Sequence, residues 1–508
     1  MLDARRPALA LFALVLGAYA YFYQAGGWNQ NSRFDLTRAL VEDSAVVIDR
    51  FRGNTGDLAQ HDGHFYSDKA PGMSLLAVVP YALARAIGVR DPDAAAYIVT
   101  VITTGIPAAL SVIALFFFSG ALGATPRRAA LIAAAYGLGT LIFPYGTMLY
   151  GHDVIAACLV VAFTVLARAR LQGQVPGPWT LFGVGALLGW AVVIEYPAAL
   201  VVVILMVYAA SFLPVRGLIA LALGGVAPAL ILAGYHTVAF GGPLVLPYSF
   251  STQQARHLGF FMGIGVPSPS VLVGITVSQF RGLFYGSPWL VLAAVGMIPL
   301  WRVARREVAV CVAAVVLFVW LNASLVDWDG GWACGPRYLV PALPFLAIGA
   351  AGWPRGRLAG AALAVFAAVS AALMFAATTV NPEIPVWIDK PFEDYLLPRF
   401  ARGILAVSTQ GIDRIDAPEG GVRFAWNVGQ KLGWNGLTSL VPLGAYLAIC
   451  GAWLLLATRP KIQRGQDSYE GSAIAEPVHD AARLGRSRRE DDDLDEGGYA
   501  VAGGSRET

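Results

Sequence analysis

The chain has 508 residues, of which 57% are hydrophobic and 14% charged, with a formal net charge of +3. A soluble domain carries about 45–50% apolar residues, so the composition excludes a soluble globular protein. The small net charge, with basic residues confined to short clusters, gives no support to nucleic-acid binding.

Apolar stretches of about 18–25 residues, the span of a bilayer core, recur along most of the chain. Arg5 and Arg6 precede the first of them, which places the N-terminus in the cytoplasm. Residues 7–24 lack a small-residue cleavage site and read as a retained helix. Basic loops follow at Arg127-Arg128, Arg168 to Arg170, Arg216, Arg302 to Arg306, Arg355 to Arg357 and Arg459 to Arg464. Two apolar segments lie between each neighbouring pair, so the intervening loops 25–94, 149–152, 195–197, 241–284, 326–337 and 379–437 fall on the outside. The segment Gly72 to Gly88 interrupts this count. It is short, contains Pro80 and Arg85, and as a span would put every later arginine cluster outside. It reads as an interfacial helix of the first outer loop, the alternative being a true span with a later re-entrant segment.

The predicted class is therefore an all-α polytopic membrane protein of about twelve spans with both termini cytoplasmic; its Ala-, Gly- and Val-rich composition with few lysines suggests a bacterial source, and the expected location is the bacterial inner (plasma) membrane. Residues 1–458 form the transmembrane body, and the charged stretch 459–508 is expected to be a disordered cytoplasmic tail. The outer segment 379–437, with Trp387, Trp426 and Trp434, is expected to be a small ordered cap. Cys158, Cys311, Cys334 and Cys450 lie far apart and form no CxxC, so neither a disulfide frame nor a zinc site is indicated.

The unusual polar groups fall in the outer loops. Asp35 lies between Arg33 and Arg38 on a segment, Arg33 to Asp43, that can form a short helix along the membrane surface. A carboxylate so placed stays anionic and can take a proton from a hydroxyl, although a solvated salt bridge explains it equally. Asp153 follows Tyr150-Gly-His152 at the start of a span, where helix capping competes with function. Lys69, between Asp68 and Ala70-Pro71, can reach a lipid phosphate. Arg281, in Gln279-Phe-Arg281-Gly-Leu-Phe-Tyr285, runs against the charge rule on the outer side, and a phosphate partner would account for it. Asp327, Asp329 and Trp332, followed by Arg337, suit sugar binding, with a belt of interfacial tryptophans as the competing explanation. Glu195 ends a span at the same face. His61, His64 and His152 fit no known metal-ligand spacing.

Taken in order, Asp35-Leu-Thr-Arg38, then Tyr66-Ser-Asp68-Lys69-Ala-Pro71 ahead of an amphipathic helix, then Asp153 opening a span resemble the GT-C glycosyltransferases. The resemblance is to the branch that holds protein O-mannosyltransferases and the lipid A aminoarabinose transferase, and it covers residues 1 to about 200. It implies a polyprenyl-phosphate-linked sugar donor whose phosphate meets Lys69, Arg281 and Arg38. Asp35 is then the general base for inversion at the anomeric carbon, and Asp153 a second acid. Tyr66, His152, Glu195, Asp327, Asp329, Trp332 and Arg337 are left to hold sugar or acceptor. Leu36 stands where the family's second acid falls, so no metal is assigned and a divalent ion stays open.

The resulting expectation is an inverting glycosyltransferase moving sugar from a lipid-linked donor to an acceptor hydroxyl at the extracytoplasmic face. A ligase or polymerase of lipid-linked oligosaccharide, and a transporter or flippase of lipid-linked sugars, are the alternatives. The acceptor, whether glycan, lipid or protein, is not specified by the sequence.

Overall fold

The computed structural model describes residues 4–260, 263–408 and 425–459. Helices dominate them. In chain order the main ones are α1 (Arg5–Ala20), α2 (Trp28–Arg38), α3 (Gly72–Ala86), α4 (Pro92–Ala121), α5 (Pro126–Leu138), α6 (His152–Leu171), α7 (Pro178–Ile194) and α8 (Ala198–Ala210). There follow α9 (Val215–Phe240), α10 (Trp289–Trp301), α11 (Arg305–Ala323), α12 (Arg337–Gly352), α13 (Arg357–Val380) and α14 (Gly436–Ala457). Six of these, α4, α6, α9, α11, α13 and α14, are long and apolar enough to cross a membrane by length and composition. The chain is an all-α polytopic membrane protein. Most of the expected tail, 459–508, lies outside the described residues, as does part of the expected cap, 409–424.

Two short antiparallel ribbons supplement the helices. In the first loop, β2 (Leu58–His61) pairs with β3 (His64–Ser67). The two turn residues are Asp62 at φ 48° and Gly63 at φ 81°, the left-handed pair that a two-residue hairpin requires and that Asp-Gly adopts readily. The second ribbon joins β1 (Phe22–Tyr23) to β4 (Trp426–Asn427). It ties the end of α1 to the far end of the segment 379–437.

Helix α2 differs from the expected surface helix. It starts five residues earlier than Arg33, and residues Asn29 to Thr37 are all buried. Burial of so polar a helix requires partners for its side chains, and the first loop supplies them. Ser32 Oγ donates to Asp57 O at 2.7 Å, Asn31 Nδ2 to Asn54 O at 2.7 Å, and Thr37 Oγ1 to Ser74 O at 3.1 Å. Ser74 Oγ in turn donates to Arg33 O at 2.8 Å. The loop is thus folded around α2, and α3 packs beside it.

Close backbone contacts hold the helices that carry the site. A Cβ at Gly72 would lie 2.6 Å from the backbone N of Ile194, so only glycine lets α3 approach the end of α7 this closely. Between α7 and α9, a Cβ on Gly185 would sit 1.8 Å from Leu221 O and one on Gly224 would sit 2.0 Å from Phe182 O. Small residues at such crossings let backbones touch where lipid offers no hydrophobic drive to associate. At the far end of α6, about 27 Å from His152 at 1.5 Å per residue, Arg170 donates to both oxygens of the buried Glu307 at 2.5 and 2.6 Å. Tyr208 OH donates to Glu307 Oε1 at 2.5 Å, so α6, α8 and α11 are pinned together there.

Gly224→Val is expected to destabilise the detergent-solubilised protein by at least ~1–3 kcal/mol, the usual cost of overpacking, seen as a lowered melting temperature. Gly234→Val, where an added Cβ meets nothing within 4 Å, is expected to melt like the parent. Equal melting of the two variants would refute the assignment of the α7–α9 contact as tight.

Candidate active site

Two cavities lie side by side at one face of the bundle. The first, ≈ 280 Å³, has an apolar wall that includes Ile155, Leu200, Leu246, Phe318, Leu321 and Leu325. Its polar end is formed by Asn29, Arg33, Lys69, His152, Glu195, Arg337 and Tyr338. The second, ≈ 440 Å³, is lined by Trp28, Asp57, Tyr150, Gln253, Asp327, Asp329, Trp332 and Glu383. Asn29, Lys69 and Arg337 line both, so the greasy compartment and the acidic one meet at an amide and two cations. All six loops assigned to the outside by charge alternation contribute to these walls.

Arg33 is 1% exposed. Its Nε donates to Asn29 Oδ1 at 2.9 Å and its Nη2 to Glu195 Oε1 at 2.5 Å. The amide and carboxylate partners come from one turn earlier on α2 and from the residue just past α7, and Gly72 sets the helix approach that lets them meet. Burial opposes the charge of Glu195, yet Arg33, His152 and Lys69 hold its carboxyl below the usual carboxylate range. Lys69 Nζ lies 2.9 Å from both Asp57 Oδ2 and Asp68 Oδ1, and Ser251 Oγ donates to the other oxygen of Asp68 at 3.0 Å.

Arg337 is in a different position. Its Nη1 donates to Tyr150 OH at 3.2 Å and its Nη2 to Tyr338 OH at 3.5 Å, while no carboxylate among the described residues is within ion-pair distance. Tyr338 OH passes the chain on to Asp327 Oδ2 at 3.1 Å, and Tyr150 OH donates to Glu383 Oε1 at 2.9 Å. Two buried guanidinium N–H groups of cavity-lining residues, Arg33 Nη1 and Arg337 Nε, and one ring nitrogen, His152 Nε2, have no hydrogen-bond partner among the described residues. A buried donor left without an acceptor costs about 1–3 kcal/mol, more when charged. Arg33 and Arg337, with Lys69, line the polar end of the apolar cavity, and three cations gathered there suit an anion.

Glu383 sits against the backbone of Gly27, where a Cβ would come within 1.8 Å of its Oε1. Burial pushes the Glu383 carboxyl up to about 7, although hydrogen bonds from Tyr150 and Gln30 and the charge of Arg337 pull it down. A carboxyl that titrates near neutrality inside a polar cavity is suited to accepting a proton.

The residues singled out from the sequence divide into two groups. Lys69, His152, Glu195, Asp327, Asp329, Trp332 and Arg337 line one or both cavities. Asp35, Asp153, Arg38, Arg281 and Tyr66 line neither. Asp35 Oδ1 accepts from Asn54 Nδ2 at 3.1 Å, holding the loop that carries Asp57. Asp153 is fully buried, and both its oxygens lack hydrogen-bond partners among the described residues. Arg38 lies over the Phe51 ring at 4.2 Å and 3.7 Å from Glu42. Arg281 Nη2 donates to Gly331 O at 3.0 Å and its Nε to Asp329 O at 3.3 Å, so the arginine that breaks the charge rule props the loop beneath Trp332. Tyr66 packs on Phe240, ring centroids 5.2 Å apart. His61 and His64 pair with Asp62 and Asp49, and no cluster of three metal-ligating side chains occurs among the described residues.

Asn29, Asp57, Tyr150, Gln253 and Glu383 were not singled out from the sequence. One signal was available for Glu383. Like Glu195, it follows the last apolar residue of a helix by a few positions at the same face, Val380-Asn-Pro-Glu383 beside Ile194-Glu195.

No family model and no curated protein matches the chain. Among solved structures it is similar to the crystal structure of ArnT from Cupriavidus metallidurans bound to undecaprenyl phosphate. The identity is 18%, the match covers 89% of this chain and 76% of that one, and the TM-score is 0.47.

Proposed function

We propose that the protein is an inverting glycosyltransferase that takes sugar from a polyprenyl-phosphate-linked donor at the extracytoplasmic face. The observation that carries this reading is Arg337, a cation with no carboxylate partner among the described residues, at the junction of an apolar and an acidic cavity. An uncompensated, partly buried charge is costly, and an anionic ligand removes the cost. A lipid-linked phosphate sugar has the three parts in the required order. Its chain lies along the wall that includes Phe318 and Leu321, its phosphate meets Arg337, Arg33 and Lys69, and its sugar enters the cavity of Trp28, Trp332 and Glu383. The positive-inside alternation supports the extracytoplasmic placement.

In this reading Glu383 replaces Asp35 as general base, because Glu383 lines the acidic cavity and Asp35 does not. The acceptor hydroxyl oxygen attacks the anomeric carbon while its proton passes to Glu383. The bond from that carbon to the phosphate oxygen breaks, and the electron pair leaves with the polyprenyl phosphate. Preorganised donors at Arg33 and Arg337 stabilise the charge developing on the leaving group. The Arg337–Tyr150–Glu383 chain couples the leaving-group site to the base. No step needs a metal, and Asp57, held by Lys69, and Asp327, held by Tyr338, line the cavity where they can accept from hydroxyls of the donor sugar.

Arg337→Ala is expected to lower polyprenyl phosphate carried through purification by about 10- to 100-fold in native mass spectrometry, the value of one or two charge-assisted hydrogen bonds of ~1.5–3 kcal/mol. Undiminished lipid in a monodisperse variant would remove the phosphate assignment.

Glu383→Gln is expected to slow transfer from a panel of polyprenyl-phosphate sugars by about 10²–10⁴-fold. In the parent, transfer should fall as the pH drops through about 7, because the base is lost on protonation. Full activity in Glu383→Gln alongside an inactive but folded Asp35→Asn would return the role to Asp35.

A further inference from the structure

A third cavity, ≈ 360 Å³, lies in the segment after α13 and is lined by Pro385, Trp387, Ile388, Asp389, Asp394, Tyr395 and Arg399. The proposed reaction does not use it. Trp387 is 68% exposed, and its ring meets that of Trp332 edge to face, centroids 5.4 Å apart and planes at 84°. Trp332 lines the acidic cavity, so a tryptophan pair forms the partition between the two spaces. A second link runs through the backbone. Asn381 Nδ2 donates to Tyr395 OH at 3.2 Å, and the N–H of Glu383 donates to Asn381 Oδ1 at 2.8 Å. The wall of the outer cavity is therefore hydrogen-bonded to the residue proposed as base.

We infer that this outer cavity is an acceptor subsite for a neutral glycan of at least two sugar units, one unit presenting its hydroxyl in the acidic cavity and the next lying on Trp387. The inference rests on the glycosyltransferase reading and names its acceptor class. The chemistry of the lining selects this ligand. An exposed indole offers a flat, electron-rich face to the C–H bonds of a pyranose, and the carboxylates of Asp389 and Asp394 are acceptors for hydroxyl donors. Those two carboxylates against one lining cation, Arg399, whose guanidinium lies over the Tyr395 ring at 3.8 Å, leave the lining net negative and disfavour an anionic phospholipid headgroup. A tryptophan serving only as a membrane anchor has no need of such surroundings.

The test uses the full-length protein in nanodiscs. Affinities are measured for neutral oligosaccharides of one to four units in glucose, galactose, mannose, arabinose and N-acetylglucosamine series. In at least one series, affinity should rise about tenfold from one unit to two or three. That gain should vanish in Trp387→Ala and persist in Trp387→Phe. Absence of a chain-length gain in every series, or a gain unaffected by Trp387→Ala, overturns the subsite. Transfer to monosaccharide and oligosaccharide acceptors with equal efficiency overturns it while leaving the transferase reading intact. Glycan binding without transfer from any polyprenyl-phosphate sugar leaves the subsite standing and sinks the transferase reading instead.

Discussion

The site depends on the docking of the first loop against the end of α7. Gly72 brings α3 onto the backbone of Ile194, and the next residue, Glu195, receives Arg33 from α2. A buried ion pair of this kind adds little net stability, because desolvation offsets most of the attraction, but losing one partner strands the other at a cost of about 3–5 kcal/mol. The pair therefore fixes position more than it adds cohesion. Held by Asn29 and Glu195, the Arg33 guanidinium keeps one fixed place in the cavity wall. Lys69, seated between Asp57 and Asp68, is fixed by the same folded loop.

Behind this docking stands a frame with little freedom to shift. The glycine contacts of α7 with α9 bring main chains together, and the Arg170–Glu307–Tyr208 cluster clamps the other end of α6. Side chains that project from such elements keep their geometry before any ligand arrives, which is the condition for electrostatic stabilisation without reorganisation. Gly27 extends the principle to the later part of the chain, where its bare backbone is what allows Glu383 to lie beside the start of α2.

The two cavities form a gradient from apolar through cationic to acidic within a few side chains. An amphiphile with a charged link fits such a gradient in one orientation only. In the proposed reaction that orientation would put the bond to be broken between Arg337 and Glu383, which are linked through Tyr150. The outer cavity continues the acidic end of the gradient toward Trp387, so donor and acceptor would approach from opposite sides of the same carboxylates.

The sequence by itself determined the order of apolar helices and the set of loops that share a face, because hydropathy and arginine clusters are properties of short stretches of chain. Those loops are the ones that converge on the cavities. The roles of single residues were not legible in the same way. Arg33 and Asp35 are neighbours in sequence, but two residues on a helix turn the side chain by about 200°, so one faces the cavity and the other faces Asn54. Arg281 looked like a ligand-binding cation, and the structure spends it on the carbonyls of Asp329 and Gly331. Glu383 carries only a faint local mark, its place just past a helix end. Its character comes from Gly27, Tyr150 and Arg337, which stand hundreds or tens of positions away, and only the tertiary structure brings them to one carboxyl group.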